Sequence, residues 1–307
     1  VIVALAGGTG GSKMVQGLAL AAGQRDLAAI VNTGDDGEFF GLLVCPDLDI
    51  NLYCLAGVVA DRGWGYADDT FHCLEGLATY GREAWFGLGD RDLATHVHRT
   101  LMMRDGATVS QVVDDLRMRL GVEARVLPMT DDPVRTIITT PSGELRFQEY
   151  LVRDGAREEI DSIRIEGLDA CTPAPGVIEA INDADLIVIA PSSPIVSIGT
   201  ILGVPGVRDA VAARRDRVIG VSPIVGGAPV EGPAHRFLRG AGYGECSARQ
   251  MAEIYKDVCS TFVIHESDAD EAADIEALGV RPVLADILMP DRASRERLAR
   301  TVIEAAG

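Results

Sequence analysis

The chain is short of positive charge. Its 307 residues carry 28 Lys and Arg against 46 Asp and Glu, a formal net charge of −18. A protein that follows a phosphate backbone needs a basic stripe, so nucleic acid is excluded as a partner. An anionic membrane surface is disfavoured on the same ground. An anionic small molecule is not excluded, because the field inside a cleft can oppose the sign of the whole molecule. Paired cysteines are also missing. Cys45, Cys54, Cys73, Cys171, Cys246 and Cys259 are scattered with no Cys-x-x-Cys among them, so neither a zinc ribbon nor a redox dithiol is expected. Free buried thiols in a reducing compartment are the default. No apolar run is long enough to span a bilayer, and the longest, near 184–207, is broken by Pro191, Ser192, Ser193, Pro194 and Pro205. The opening Val1–Ala6 lacks a basic flank and does not read as a signal peptide, so a cytoplasmic location is expected. Low-complexity tracts, structureless linkers and internal repeats are absent.

What is present suits a single globular unit. Hydrophobic residues make up 47% of the chain, enough for a sizeable core. Val1–Ala6 is an apolar run ending in Gly7-Gly8-Thr9-Gly10-Gly11-Ser12-Lys13, after which Met14, Val15 and Leu18 follow a helical spacing. Leu27–Val31 predicts a second buried strand closed by the loop Asn32-Thr33-Gly34-Asp35-Asp36-Gly37. Helices are expected at about Leu48–Ala60, Asp68–Tyr80, Asp92–Met103 and Val109–Leu120. The centre predicts β segments at Arg125–Pro128, Val134–Thr140, Glu144–Val152 and Ile160–Ile165, a meander beside the main sheet. From Gly176 onward, helix and strand alternate again. The strands there are Leu186–Ala190, Val218–Val221, Phe262–Ile264 and Pro282–Ala285, and a last helix covers about 293–305. This alternation predicts an α/β fold with an open, mostly parallel sheet and helices on both faces. Ligands of such sheets bind beyond the carboxyl ends of the strands, which is where the loops 7–13, 32–37 and 191–199 fall.

The glycine loop can bring backbone N–H groups close to phosphate oxygens at a helix N-terminus, with Lys13 adding charge. It matches neither the Walker spacing nor the dinucleotide fingerprint, and a tight strand–helix turn without ligand is the alternative. Asp35, Asp36, Asp47 and Asp49 supply the hard oxygens that Mg²⁺ takes. The competing role for Asp47 and Asp49 is helix capping. Gly89–His96 opens a helix on which Arg91 and His96 can face an anion, whereas His96 and His98 are spaced poorly for a shared metal. Trp64 offers a flat ring for stacking or for ordinary packing.

Taken in order, several segments resemble the 2-phospho-L-lactate transferase family. They are the glycine loop with Lys13, Val31–Asp36, Cys45-Pro46-Asp47-Leu48-Asp49, Trp64-Gly65, Gly89–His96 and Leu127–Asp132. Phe147–Tyr150, Pro191–Gly199, Ser222–Gly226 and Asp286–Met289 continue the series across nearly the whole chain. The resemblance implies one domain over 1–307, with a Rossmann-like core at about 1–60 and 176–290 and an inserted helical and β-rich portion at about 61–175. It implies a homodimer, a guanine nucleotide (GDP or GMP) in the cleft and a Mg²⁺ cofactor. The implied reaction moves phospholactate, phosphoenolpyruvate or phosphoglycerate from its guanosine diphospho-conjugate to the ribityl hydroxyl of a deazaflavin, releasing GMP, in coenzyme F-420 biosynthesis. On this pattern Asp35 and Asp47 hold the metal, and Asp36 and Asp49 support them or approach the attacking hydroxyl. Gly8, Thr9, Gly10, Gly11 and Lys13 lie at the phosphates. Ser193, Pro194, Ser197 and Gly199 lie near the nucleoside. The chain departs from the pattern at Gly37-Glu38-Phe39-Phe40-Gly41 and at Ile50-Asn51, where the acyl or deazaflavin group is expected.

Two other readings compete. A nucleotide-sugar-binding regulator of the gluconeogenesis-factor type shares the glycine loop and the Asp-Asp-Gly segment, but that family carries Pro-Gly-Asp-x-Arg-Asn where this chain has Cys45–Asp49. A dinucleotide-dependent oxidoreductase is disfavoured by Lys13 at the third glycine position and by Asn32 where an acid would close the second strand.

Overall fold

The computed structural model describes residues 1–307. Seven parallel strands form the central sheet: β1 (Ile2–Ala6), β2 (Leu27–Val31), β3 (Arg125–Pro128), β4 (Leu186–Ile189), β5 (Val218–Val221), β6 (Thr261–His265) and β7 (Arg281–Ala285). Their order across the sheet is β7-β6-β5-β4-β1-β2-β3. The direction of winding reverses between β1 and β4, and the crevice beyond that point is where doubly wound sheets take their ligands.

The strands are continuous apolar runs because both faces are covered. Val3, Leu5, Ala28, Ile30, Ile187 and Ile189 turn to one core, shared with helices Val177–Asp183, Val207–Ala212 and Ala248–Tyr255. Ala4, Ala6, Ala29, Val31 and Val188 turn to the other. There they meet α1 (Gly8–Ala22), α2 (Pro46–Ala56) and the C-terminal helix Arg292–Glu304. Each buried Val, Leu or Ile among these contributes about 1.5–3 kcal/mol. Between α2 and β3 lie α3 (His72–Thr79), α4 (Asp90–Arg104) and α5 (Val109–Arg119).

Two expectations change. Arg125–Pro128, assigned by its sequence position to the inserted meander, is the edge strand of the main sheet, paired with β2 from Ala28↔Arg125 to Val31↔Pro128. Residues 144–152 are not one strand. Gly143–Arg146 pairs with Arg135–Thr140, and Glu149–Arg153 is a π-helical turn. Phe147 and Tyr150 both pack on Phe237 in a small third core, so the apolar spacing here is that of a turn and not of a pleat. The Glu149 carboxylate folds back to accept the Arg146 N–H at 2.8 Å. The three-stranded antiparallel sheet is completed by Ser162–Glu166. It is tied to the loop after β2 by the Thr136 N–H, which donates to Gly34 O at 2.7 Å. No helix is long and apolar enough to cross a membrane.

Candidate active site

A cavity of about 630 Å³ opens beyond the carboxyl ends of β1, β2, β4 and β5. The three loops singled out from sequence converge there, and Gly7 shows how closely. A Cβ added to Gly7 would stand 2.7 Å from Asp47 Oδ2 and 2.7 Å from Ser197 Cβ. Ser192 stitches two of the loops together: its Oγ accepts the Gly7 N–H at 3.2 Å and donates to Gly7 O at 2.7 Å.

α1 begins at Gly8, so the glycine segment is the first turn of a helix, with its free N–H groups at the cavity floor. Gly8, Thr9, Gly10 and Lys13 line the cavity; Gly11 does not and packs against Ala6 and Ser192. Lys13 is the only Lys or Arg on the wall.

The four aspartates have separate fates. Asp47, in the first turn of α2, is 4% exposed. Its Oδ1 accepts the Gly8 N–H at 2.8 Å and its Oδ2 accepts Asn32 Nδ2 at 2.9 Å. Burial raises its pKa to about 6, against the pull of Asn32 and Gly8. Asp35 lies beside it on the cavity wall, and its Oδ1 is buried with no hydrogen-bond partner. Burial, then the charges of Asp47 and Asp36, hold the Asp35 carboxyl well above the usual carboxylate range. Asp36 is not on the wall of the main cavity but borders a neighbouring one of about 70 Å³ edged by Phe39, Trp85, Arg135 and Arg146; its Oδ1 is likewise buried without a hydrogen-bond partner, and burial holds its carboxyl well above the usual range.

Asp49 also lines the cavity but is paired within the chain. Both its oxygens accept from the guanidinium of Arg99, one of them at 3.0 Å from Nη1, and both residues are buried. Its charge is therefore balanced by a cation of the chain. Arg99 also lies 3.1 Å from His96 Nδ1, and His96 Nε2 stands 3.3 Å from Asp92 Oδ1, which accepts the Tyr53 hydroxyl at 2.8 Å. This buried network forms the side of the cavity facing α4. Its members are spread over α2 and α4; Asp49, Asp92 and His96 fall in segments singled out from sequence, whereas Tyr53 does not.

On the opposite loop, Ser192, Ser193 and Ser197 line the cavity. Pro194 and Gly199 do not: Gly199 is packed on the Pro194 carbonyl, where a Cβ would come to 2.5 Å. These two shape the turn from behind the cavity wall. Trp64 lines the cavity with 43% of its surface exposed, its ring 4.2 Å from the Arg62 guanidinium carbon. Phe86, Phe147, Phe237, Leu288 and Met289 make the rest of the wall apolar. Glu231, with no motif around it, reaches into the cavity and accepts hydrogen bonds from Thr9 Oγ1 and Lys13 Nζ. The only hint of it in sequence is the run of Gly and Pro from Gly226 to Pro233, a long loop after a sheet strand.

The acids at the site do not cage an ion unaided. No three His, Cys, Asp or Glu side chains are grouped to hold a metal. Of the four aspartates, Asp35 and Asp47 line the main cavity without a cation of the chain against them, and Asp35 presents an unsatisfied oxygen. That donor set fits Mg²⁺, which takes one or two carboxylates and completes its shell from water and substrate phosphate. It does not fit zinc or a soft metal.

The 2-phospho-L-lactate transferase family model matches residues 2–306. A phosphoenolpyruvate transferase of Streptomyces griseus is 43% identical over 311 residues, covering 99% of this chain and 98% of its own. A phosphoenolpyruvate transferase of Thermobifida fusca is 46% identical over 284 residues, covering 88% of this chain and 87% of its own. Among solved structures, a upf0052 family member from Bacillus halodurans superposes with a TM-score of 0.64 at 17% identity, covering 98% of each chain. That likeness concerns the fold alone. Matched from its second residue to its last but one, the chain belongs to the 2-phospho-L-lactate transferase family.

Proposed function

We propose that the protein transfers a phospholactate-type group from its guanosine diphospho-conjugate to the ribityl hydroxyl of a deazaflavin, with Mg²⁺, in coenzyme F-420 biosynthesis. The hydroxyl gives up its proton to solvent as its oxygen bonds to the phosphorus that carries the three-carbon acid. The bond from that phosphorus to the oxygen shared with the nucleotide breaks, and GMP leaves with that oxygen. Family membership supports a phosphate-group transferase of this type. The phosphoenolpyruvate transferases among its relatives favour phosphoenolpyruvate as the acid. A homodimer and a cytoplasmic location belong to the same reading.

One observation carries the chemistry: the unsatisfied Asp35 oxygen beside Asp47, opposite the first turn of α1. Displacement at phosphorus is catalysed by alignment and charge neutralisation. Asp35 and Asp47 would hold Mg²⁺, which supplies the charge that stabilises a departing phosphate oxygen. The N–H groups of the α1 turn and Lys13 face the same space and suit the diphosphate. The serines at 192, 193 and 197 offer hydroxyls to a base or sugar, and the aromatic and apolar wall around Phe86 and Phe147 suits a flat tricycle. A wall this apolar also keeps water from the activated donor.

Incubation with deazaflavin, Mg²⁺ and each of the three guanosine-activated acids, read by mass spectrometry, tests the reading. The condensed product and GMP should appear in equal amounts, fastest with the phosphoenolpyruvate conjugate. Absence of product from all three donors would reject it.

Cation binding should also depend on pH in a defined direction. Asp47 must be ionised to bind a metal, and its folded pKa is raised to about 6 from 3.8. The metal-free fold binds the extra proton between those values, so its stability falls as pH rises through that window. Above pH 6, Mg²⁺ should raise the thermal midpoint; at pH 5 the increment should largely vanish. A Mg²⁺ increment independent of pH between 5 and 8 would remove Asp47 from the metal site.

A further inference from the structure

Glu231 has no part in the chemistry above, yet it touches the two side chains of the glycine turn that carry donors toward the cavity, Thr9 and Lys13. Lys13 is the cavity's single Lys or Arg. An incoming phosphate needs that ammonium group, and a carboxylate of the chain already holds it. Both cannot be served: two anions sharing one cation at contact distance repel each other, and the hydroxyl of Thr9 has one proton to give.

Glu231 stands between a short hairpin, Ile224–Val225 with Ala228–Pro229 turning at Gly226-Gly227 (φ 59° and 73°), and helix Ala234–Gly240, and its side chain alone needs to swing to release Lys13. The Glu231 side chain is 42% exposed, and its pair with Lys13 lies at the cavity mouth, where an ion pair is worth little. Val230, Gly232, Pro233 and Ala234 line the same cavity.

We infer that Glu231 is a resident anion that the donor's phosphate exchanges for, and that it decides which ligands enter. A ligand gains at Lys13 only the difference between its own anion and a carboxylate already in place. A diphosphate exceeds that threshold, whereas a monocarboxylate or a neutral nucleoside does not. The inference rests on reading Thr9 and Lys13 as phosphate-facing groups.

The test uses inorganic pyrophosphate, without Mg²⁺, titrated calorimetrically into the full-length protein and its variants. Glu231→Gln should bind pyrophosphate roughly three- to tenfold tighter than the wild type, the range expected from removing an exposed competing charge. Glu231→Ala should do the same, which separates the effect from any fault of the glutamine. Lys13→Met should abolish the gain in both backgrounds. Equal or weaker binding by both Glu231 variants, or no detectable binding by any protein, would overturn the inference. The readout needs neither donor nor deazaflavin, so it stands apart from success or failure of the transfer assay.

Discussion

Asp35→Asn should make the metal-free protein more stable while lowering turnover by about three orders of magnitude. The two effects have one cause. Burial and the neighbouring charges of Asp47 and Asp36 oppose ionisation of Asp35, and its Oδ1 finds no hydrogen bond. An amide of the same shape removes the charge and with it the desolvation cost, so the midpoint of denaturation should rise. The same change removes a hard oxygen donor. Losing a group that neutralises developing charge on a transferring phosphate costs about 10²–10³ in rate for a single hydrogen-bond donor, and loss of a metal ligand should reach the upper end. Turnover and chemical denaturation on one preparation decide it. Near-normal turnover, or a loss of stability matching the loss of activity, would show that Asp35 is a structural residue. Asp47→Asn should also abolish turnover but is the less clean probe, because its carboxylate accepts from both Gly8 and Asn32 and an amide cannot satisfy both.

The second large effect is on the fold. Arg99→Met should destabilise the protein by about 3–5 kcal/mol, the usual result of leaving one member of a buried ion pair alone. Arg99 is 1% exposed and Asp49 is 4% exposed, so water cannot replace the lost partner. Arg99→Lys should recover only part, since an ammonium cannot reproduce the two-pronged contact of the guanidinium. Combining Arg99→Met with Asp49→Leu should recover most of the loss, because the penalty lies in the orphaned charge and not in the missing attraction. Urea denaturation of the three variants distinguishes these outcomes. A single Arg99→Met variant within about 1 kcal/mol of wild type would mean that Asp49 finds another partner.

How far the sequence could be read depended on the range of the interaction concerned. β1, β2 and the helix after the glycine turn were legible because buried parallel strands are apolar runs and glycine marks their ends. The π-helical turn at Glu149–Arg153 was not, since Tyr150, Leu151 and Val152 suit a strand equally and carry no mark of the core they will face. The hairpin Gly37–Phe39 and Leu42–Val44, and the pairing of Phe39 with Phe86 at a centroid distance of 3.9 Å, were equally hidden. The hairpin is too short to show a period, and the aromatic pair joins segments that only the folded chain brings together.

Local pattern alone determined the α/β class, the place of the glycine turn and the acidity of the segments around Asp35 and Asp47, for these depend on neighbours a few residues apart. Tertiary structure decided which charges are free. Asp49 is matched to Arg99 from fifty residues away, and Lys13 to Glu231 from more than two hundred. A carboxylate's reactivity is set by its desolvation and by the nearest opposite charge, and both are properties of the packed chain.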